Sequence, residues 1–212
     1  MEIVVATRNA HKLAEIQALL GDAGITAVSL AAFPDAPPVV EDGATFAENA
    51  AKKALLIARS TGRLTVADDS GLEVPAIGGA PGVLSARYAG ARVTDAENNA
   101  KLLQVLAAVP KSRRRARFVC CVAIAAADGL LVTLNGTCAG RIAFSPQGEQ
   151  GFGYDPLFYL PRYAKTFAEL PAAIKNKISH RGRAFAKANV WLRRYLRRGA
   201  VPPPAGKDAY ER

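Results

Sequence analysis

The segment Leu64-Thr65-Val66-Ala67-Asp68-Asp69-Ser70-Gly71 predicts the strand on which the interpretation of this chain depends. Apolar and β-branched residues precede two adjacent carboxylates, and a Ser-Gly pair follows at once. This pattern predicts a strand that leaves the core and ends at its acids, with a turn at Ser70-Gly71. Acids displayed at a turn can hold a hard divalent cation or activate water. The alternative is an Asx-turn without a function, although crowded like charges favour a cation or a shared proton.

Helices are predicted on both sides of this strand. A strand at 3–6 and a turn at 7–9 come first, and apolar residues at helical spacing then indicate a helix that ends at Gly21. Two further helices begin with capping boxes, in which a threonine is followed three residues later by a glutamate. These are Thr45 with Glu48, before a helix to about residue 60, and Thr94 with Glu97, before a helix that Pro110 stops.

A β-hairpin and a last helix complete the predicted elements. The hairpin strands are 118–126 and 130–137, and they flank Asp128-Gly129, a dipeptide that readily adopts the positive φ angles of a tight turn. The last helix is expected from about 182 to 198, ending at Gly199. Helices combined with both a lone strand and a hairpin predict the α/β class with a mixed sheet.

Composition predicts an ordinary globular protein. The chain has 212 residues, of which 50% are hydrophobic, and this is enough for one large domain or two lobes. Its start has neither a basic leader nor a long apolar segment, so we expect a soluble, unexported protein without a membrane partner. Cys120, Cys121 and Cys138 fit neither a disulfide framework nor a zinc spacing, and we expect buried thiols in a reducing cytosol.

The net charge of +10 suits either nucleic acid or small polyanions such as nucleotides. Much of the excess lies in residues 111–117 and in the arginines of the last helix. The sequence has no RRM, KH or zinc-finger signature, and its paired acids would repel a phosphate backbone. We therefore expect no stable nucleic-acid partner, although a basic nucleic-acid-binding protein is the main alternative from another functional class.

Residues 7–12 suit a phosphate. The sequence Thr7-Arg8-Asn9-Ala10-His11-Lys12 joins a strand to a helix, where unpaired backbone N–H groups favour an anion. Thr7 and Asn9 add side-chain donors, and Arg8 and Lys12 add positive charge. Because the turn is not a glycine-rich phosphate loop, an ordinary helix cap with solvated basic residues is the stronger interpretation of these residues alone.

An acidic loop precedes the second helix. Its sequence is Glu41-Asp42-Gly43, and its carboxylates could join Asp68 and Asp69 around a metal. Mg²⁺ is usually held by one or two carboxylates together with substrate phosphates. The alternative is a solvated loop whose acids interact favourably with the positive end of the helix.

Two later clusters suit a nucleotide. Phe152-Gly153-Tyr154-Asp155-Pro156 combines glycine, which lets the backbone approach a ligand closely, with rings on which a purine can stack. A tight turn with aromatic packing explains this sequence equally well. Ser179-His180-Arg181-Gly182-Arg183 follows Lys175 and concentrates donors at a helix N-terminus. By itself, Ser179 as an N-cap beside exposed basic residues is the simpler explanation.

Six motifs carry a family resemblance. They are Thr7-x-Asn9-x-x-Lys12, Phe46-x-Glu48-Asn49-Ala50, Ala67-Asp68-Asp69-Ser70-Gly71, Gly79-Ala80-Pro81-Gly82 with Ser85-Ala86-Arg87-Tyr88, Phe152-Gly153-Tyr154-Asp155-Pro156 and Ser179-His180-Arg181-Gly182. With these motifs the chain resembles the noncanonical purine nucleoside triphosphate pyrophosphatases, also called inosine triphosphate or dITP/XTP pyrophosphatases. The resemblance runs from residue 3 to about residue 196.

The resemblance implies an enzyme that clears ITP, dITP and XTP from the nucleotide pool. It implies Mg²⁺-dependent hydrolysis to the monophosphate and pyrophosphate by a homodimer in the cytoplasm. It also implies a mixed α/β sheet with flanking helices and two lobes around a central cleft. One catalytic domain over residues 1–199 and a mobile tail over 200–212 are expected.

The resemblance implies roles for individual residues. The triphosphate is assigned to Thr7, Arg8, Asn9, Ala10, His11 and Lys12, and the sugar and base to Phe152, Gly153, Tyr154, Asp155, Lys175, His180 and Arg181. Asp69 is implied as general base or metal ligand, with Asp68 in support, Glu41 as second metal ligand and Ser70 on the nucleotide. Arg8 departs from the family pattern, in which a small residue is frequent, and the Glu41-Asp42 pair leaves open which acid reaches the metal.

Donor and acceptor chemistry suggests how a base would be selected. A pocket that offers only donors at position 6, such as Arg181 and backbone N–H groups, accepts the 6-oxo group of hypoxanthine or xanthine. It rejects the 6-amino group of adenine, because donors would then face each other unpaired. A related pyrophosphatase that acts on modified pyrimidine triphosphates is the nearest alternative function.

Overall fold

A seven-stranded mixed sheet lies at the centre of the computed structural model, which describes residues 2–21 and 24–197. The strands are β1 (Glu2–Val5), β2 (Thr26–Ser29), β3 (Thr65–Glu73), β4 (Arg115–Ala126), β5 (Gly129–Ile142), β6 (Phe158–Leu160) and β7 (Lys165–Thr166). The helices are α1 (Ala10–Gly21), α2 (Phe46–Thr61), α3 (Asp95–Val105), α4 (Ala172–Ile178) and α5 (His180–Arg197).

The strands follow the order β2-β1-β3-β4-β5-β6-β7 across the sheet. β1 pairs in parallel with β2 and β3, and the other neighbours are antiparallel. The predicted α/β class with a mixed sheet and flanking helices is therefore confirmed. The division into two lobes stays a prediction, and the expected helix end at Gly199 and the tail at 200–212 lie outside the described residues.

Strand β3 does not end at its acids, so the predicted turn at Ser70-Gly71 is wrong. Asp68 and Asp69 lie in the middle of the strand, opposite Val122 and Cys121 of β4. Pairing with β4 continues to Glu73, and this keeps the backbone extended through the Ser-Gly pair. β1 pairs with β3 only as far as Val66. Beyond that point no strand of the described residues pairs with β3 on this side until Pro81 bridges Glu73, and a cleft forms in between.

Side-chain alternation in β3 places its two acids on opposite faces of the sheet. Val66 packs in a core cluster with α1 and α5, whereas Ala67 packs in another cluster with α2. Successive side chains of a strand point to opposite faces. Asp68 therefore shares the α5 face with Val66, and Asp69 shares the α2 face with Ala67. A third cluster, which includes Phe118, joins α3 to the far end of the sheet.

Both threonines are N-caps as predicted, but the second helix lacks the predicted capping box, because the Glu48 carboxylate accepts the N–H of Ala44 instead of Thr45. Thr45 accepts a hydrogen bond from the Glu48 N–H, and Thr94 with Glu97 forms a reciprocal capping box. Helix α3 ends at Val105, before the predicted stop at Pro110, and Leu106 is its C-cap. The free cysteines Cys120, Cys121 and Cys138 are buried, as expected. Among residues 2–21 and 24–197, no helix is long and apolar enough to cross a membrane.

The hairpin between β4 and β5 is confirmed, but its turn differs from the prediction. The register pairs Ala126 with Gly129, so the two loop residues are Ala127 and Asp128. Neither Asp128 nor Gly129 has a positive φ angle. The register shifts between Ile124 and Ala125, next to the turn. A two-residue turn without positive φ angles matches the right-handed twist of the strands poorly. The register shift beside the turn increases the local twist and so accommodates this mismatch.

Gly136 of β5 allows α5 to approach the sheet. A Cβ atom there would overlap the backbone carbonyl oxygen of His180 and the backbone nitrogen of Ala184. Both atoms belong to the backbone of α5, which cannot move away as a flexible side chain can. Gly136 therefore sets the position of the first turn of α5, which carries two of the candidate site residues.

We expect Gly136→Ala to destabilise the protein by about 1–3 kcal/mol, the usual cost of overpacking. Gly129→Ala is the matched control on the same strand, because a Cβ there has no neighbour within 4 Å and the φ angle is not positive. Urea unfolding of both variants measures the difference. Equal unfolding midpoints for the two would contradict the close approach at Gly136.

Candidate active site

A cleft opens where β3 loses its neighbour β1. The turn before α1, the loop before α2, the turn at 151–156 and the start of α5 border it. Its lining includes these polar or aromatic side chains: Asn9, Lys12, Glu41, Asp69, Ser70, Ser85, Asp95, Asn98, Phe118, Phe152, Tyr154, Asp155, Lys175, His180 and Arg181. The long-range pairing of β3 with β4 and α5 thus brings together groups from both ends of the chain.

Asp68 is buried beneath the cleft and paired with Arg181. Its Oδ2 atom accepts hydrogen bonds from Nε and Nη2 of Arg181, at 3.2 and 3.0 Å, and lies 3.7 Å from Nζ of Lys12. Burial opposes ionisation, but the charges of Lys12, Arg181 and Lys53 hold the pKa of Asp68 well below its ordinary value. Asp68 therefore stays an anion and fixes the guanidinium of Arg181.

Asp69 lies in a different environment on the other face. Asn49 donates to its Oδ2 atom at 3.1 Å, and Nζ of Lys53 lies 3.5 Å from its Oδ1 atom. Burial raises the pKa of Asp69, and this outweighs Lys53 and Lys12, which lower it, while nearby Glu41 raises it further. The expected crowding of two like charges is absent, since Asp68 and Asp69 point to opposite faces and their pKa values shift in opposite directions.

Lys53 bridges the acidic loop and β3. Its Nζ atom lies 2.7 Å from Oε1 of Glu41 and 3.5 Å from Oδ1 of Asp69. Asn49 ties the same parts together, because its Oδ1 atom accepts the N–H of Gly43 at 2.8 Å. Glu41 lines the cleft, whereas Asp42 forms an exposed ion pair with Lys52. Of the two loop acids, Glu41 is therefore the one that faces Asp69.

Arg181 and Lys175 form a buried network with three carboxylates. Arg181 also donates to Glu15 at 2.6 Å and to Oγ of Ser70 at 2.8 Å. Lys175 donates to Glu15 at 2.7 Å and to Asp155 at 2.5 Å. Arg181 has five N–H groups. Two of them donate to Asp68, one to Glu15 and one to Ser70, which leaves one. Its capacity to donate to a base is thus smaller than the sequence interpretation assumed.

Phe152 covers the two buried cations. Its ring centroid lies 4.9 Å from Nζ of Lys175 and 5.6 Å from Cζ of Arg181. His11 stacks on the same ring at 5.5 Å. Tyr154, by contrast, is buried and its hydroxyl donates to the Ser85 carbonyl at 2.8 Å. The turn therefore presents Phe152 to the cleft and uses Tyr154 for packing.

The turn before α1 is only partly directed at the cleft. Asn9 caps α1 by accepting the N–H of Lys12 at 3.0 Å, and Thr7 accepts the N–H of Asn9 at 3.2 Å. Arg8 turns away and donates to the Ala36 carbonyl at 3.2 Å. The predicted residues outside the lining are Thr7, Arg8, Ala10, His11 and Asp68, while Asn9, Lys12 and the others lie on it.

His180 is neutral in the folded protein. It is buried and stacks on Phe118, with centroids 4.5 Å apart. Burial, and then the positive charges of Arg181 and Lys175, lower its pKa well below 6.5. Among the described residues its Nδ1 atom has no hydrogen-bond partner. His180 can therefore offer a polar edge to a ligand but no positive charge.

Sequence reasoning missed Glu15 and Lys53, and it quoted Asn49 in a motif without giving it a role. Lys53 lies on the face of α2 that packs Ala50 and Ile57 in the core. A lysine on the apolar face of an amphipathic helix was therefore a usable signal. Glu15 follows Lys12 by three residues on α1, which places both on one side of the helix.

The fold and the cleft define a mixed α/β protein with a buried network of acids and bases at an open strand edge. Residues 3–191 match the model of the Ham1 family. The dITP/XTP pyrophosphatase of Desulforamulus reducens is 54% identical over 194 residues, which cover 92% of this chain and 96% of that protein. That of Geobacillus kaustophilus is 53% identical over 186 residues, 88% of this chain and 91% of the other.

Solved structures agree with these sequences. The structure of a HAM1 protein from Coxiella burnetii has a TM-score of 0.83 and 44% identity, covering 92% of this chain and 99% of that one. A nucleoside-triphosphatase / dITP/XTP pyrophosphatase from Mycobacterium abscessus has a TM-score of 0.72 and 45% identity, with coverage of 89% and 98%. The chain belongs to the Ham1 family, and the resemblance inferred from its motifs is confirmed.

Removing the charge of Asp68 should destabilise the fold strongly. Asp68→Asn leaves buried Arg181 without its central counter-ion, and breaking a buried pair in this way costs about 3–5 kcal/mol. Asp42→Asn is the matched control, because it breaks the exposed ion pair with Lys52 and should leave stability unchanged. Denaturant unfolding of both variants decides the matter. Similar small effects would show that the Asp68 charge is not needed by the fold.

His180 should make stability depend on pH. The pKa of His180 is lowered in the folded state. Below about pH 6.5, His180 therefore binds a proton in the unfolded state but not in the folded state. Stability is then full above pH 6.5 and falls with acidification, by up to about 1.4 kcal/mol per pH unit. His180→Phe keeps the ring but cannot titrate, so its unfolding free energy should fall less between pH 7.5 and 5. Parallel profiles for the two proteins would contradict a neutral, buried His180.

Proposed function

We propose that this protein hydrolyses noncanonical purine nucleoside triphosphates, namely ITP, dITP and XTP, to the monophosphate and pyrophosphate, and so clears them from the nucleotide pool. One observation carries the proposal: two adjacent carboxylates, where β3 has lost its neighbour β1, lie in different environments. Asp68 is held ionised beside Arg181, and Asp69 has a raised pKa and faces the cleft. The names of relatives that are more than half identical to this chain support the same reaction.

The triphosphate would bind at the start of α1. The first backbone N–H groups of a helix lack intrahelical acceptors and attract anions. Asn9 shapes this turn by capping the helix, and Lys12 contributes a positive charge to the cleft. Lys175 also lines the cleft, and Nζ of Lys53 lies 3.5 Å from Oδ1 of Asp69. These cations would stabilise the charge that develops on the leaving pyrophosphate.

The acidic side of the cleft fits Mg²⁺. Glu41 and Asp69 both lie near one cationic atom, Nζ of Lys53, so a single cation can interact with both carboxylates. The described residues contain no cluster of three or more metal-ligating side chains. Mg²⁺ is usually held by one or two carboxylates together with substrate phosphates and water. We propose that Glu41 and Asp69 hold Mg²⁺, which when bound supplies charge neutralisation on the phosphates.

Asp69 is the proposed general base. Asn49 and Lys53 fix the orientation of its carboxylate at the cleft. It would orient a water molecule toward the α-phosphorus and accept its proton. Asp68 would serve the reaction through Arg181, whose guanidinium it holds. Two carboxylates with pKa values shifted apart are typical of a site with divided roles.

The base and sugar would lie beside Phe152. Its ring lines the cleft and stacks with His11, and His180 and Arg181 lie at the start of α5 on the same side of the cleft. The remaining N–H of Arg181 and nearby backbone N–H groups would donate to a 6-oxo group. We also propose that the protein acts as a homodimer in the cytoplasm, as the sequence resemblance implies. Sedimentation of the purified chain tests the dimer.

We expect Asp69→Asn to lower kcat by about 10²–10⁴, because the isosteric amide cannot accept the proton. Nucleotide binding in the absence of Mg²⁺ should change little, since the cationic groups remain. A pyrophosphate-release panel over ITP, XTP, dITP, GTP, ATP, dUTP and dTTP, with and without Mg²⁺, measures both activity and preference. Asp42→Asn, at the exposed acid of the same loop, is the control and should keep full activity.

Three results of these measurements would overturn the proposal. Near-normal turnover by Asp69→Asn would remove its role as base. Preferred hydrolysis of dUTP would favour the pyrimidine alternative. Salt-dependent binding of oligonucleotides without any pyrophosphate release would favour the nucleic-acid alternative.

A further inference from the structure

Helix α3 holds the turn that carries Phe152. Oδ2 of Asp95 accepts the N–H of Gly153 at 2.6 Å, and Nδ2 of Asn99 donates to the carbonyl of Gly153 at 2.9 Å. The two side chains are four residues apart and therefore lie on the same face of α3. Both backbone groups of one residue are thus bound by one helix face, and we call Asp95 and Asn99 the α3 clamp.

The clamp acts on a residue with an unusual backbone conformation. Gly153 has φ +61°, a region that glycine adopts without strain. On the inner side of the turn, Phe152 donates its backbone N–H to Oδ2 of Asp155 at 2.9 Å, and that atom also accepts from Lys175. The turn is therefore fixed from the cleft side by Asp155 and from the opposite side by the clamp.

Packing does not hold the turn on its outer side. A second cavity of about 450 Å³ lies there, lined among others by Asn99, Leu103, Gly151 and Pro156. Tyr154 packs in the core, so the backbone of Phe152 and Gly153, beside this cavity, is the part of the turn whose position depends on hydrogen bonds. Helix α3 is itself firmly seated, because Leu102 is completely buried in the core.

We propose that Asp95 and Asn99 are positioning residues, which keep Phe152 beside Lys175 and Arg181 and thereby set the affinity of the cleft for the base of its substrate. The inference rests on the proposed function only in assigning the base to Phe152. Asn99 does not line the cleft, so its effect must pass through Gly153. Asp95 lines both cavities, so control variants must separate a direct contact of Asp95 with the ligand from its effect through Gly153.

Steady-state kinetics with ITP test the clamp. Asp95→Ala and Asn99→Ala should each raise KM about tenfold, the loss expected from one hydrogen bond to a charged or ordered group, with kcat within about twofold. Asp95→Asn keeps an acceptor oxygen for the Gly153 N–H and should return KM to within about threefold of the wild type. Inhibition by pyrophosphate, which has no base, should be unchanged in all three variants. A fall in kcat at constant KM, or weaker pyrophosphate inhibition, would overturn the positioning role.

Glu97→Ala is the matched control for helix stability. It removes the Glu97 carboxylate that accepts the Thr94 N–H in the capping box, in the same turn of α3, and leaves both bonds to Gly153 in place. We expect Glu97→Ala to lower the melting temperature while KM stays unchanged. A rise in KM as large as that of Asp95→Ala would show that general destabilisation of α3 causes the effect, and would overturn the proposal.

Amide hydrogen exchange separates the clamp from the proposed function, because it needs no substrate. The Gly153 amide should exchange faster in Asp95→Ala than in the wild type or in Glu97→Ala. Unchanged exchange would overturn the clamp. Faster exchange with unchanged KM would overturn its role in substrate affinity. If the wild type released pyrophosphate from no triphosphate of the panel, the proposed function would fail, and exchange at Gly153 would still report on the clamp.

Discussion

The buried charge of Asp68 is the constraint on which the rest of this structure depends. An ionised carboxylate in the middle of a sheet is costly unless a cation reaches it. Arg181, 113 residues further along the chain, supplies that cation through two hydrogen bonds. The first turn of α5 must therefore lie against β3, and Gly136 lets the helix come close enough. The same pairing places His180 at the edge of the cleft.

The strand geometry of β3 then gives its two acids different chemistry. Because successive side chains point to opposite faces, Asp68 meets Arg181 and Asp69 meets Asn49 and Lys53. The first carboxylate is surrounded by cations and its pKa falls, whereas burial dominates for the second and its pKa rises. Neighbours in sequence can thus lie in environments that shift their pKa values in opposite directions.

Local patterns predicted local structure well. Both threonine caps, the end of α1 at Gly21 and the hairpin follow from hydrogen bonding and backbone preferences within a few residues. The two wrong turns show the limit of such patterns. Ser70-Gly71 is a good turn sequence, but it stays extended because β4 pairs along its whole length. Asp128-Gly129 likewise does not form the predicted turn. The register of two long strands places the loop at Ala127 and Asp128 instead.

The sequence by itself determined which chemical groups the protein has, where its helices begin, and to which family it belongs, since all three depend on residue identity and short-range order. Only the tertiary structure decided which acid is the anion beneath the cleft and which faces it. It also brought in Glu15 and Lys53, which no motif had singled out. The reason is physical: burial and the distance to charges far along the chain set a pKa, and neither is defined until the chain has folded.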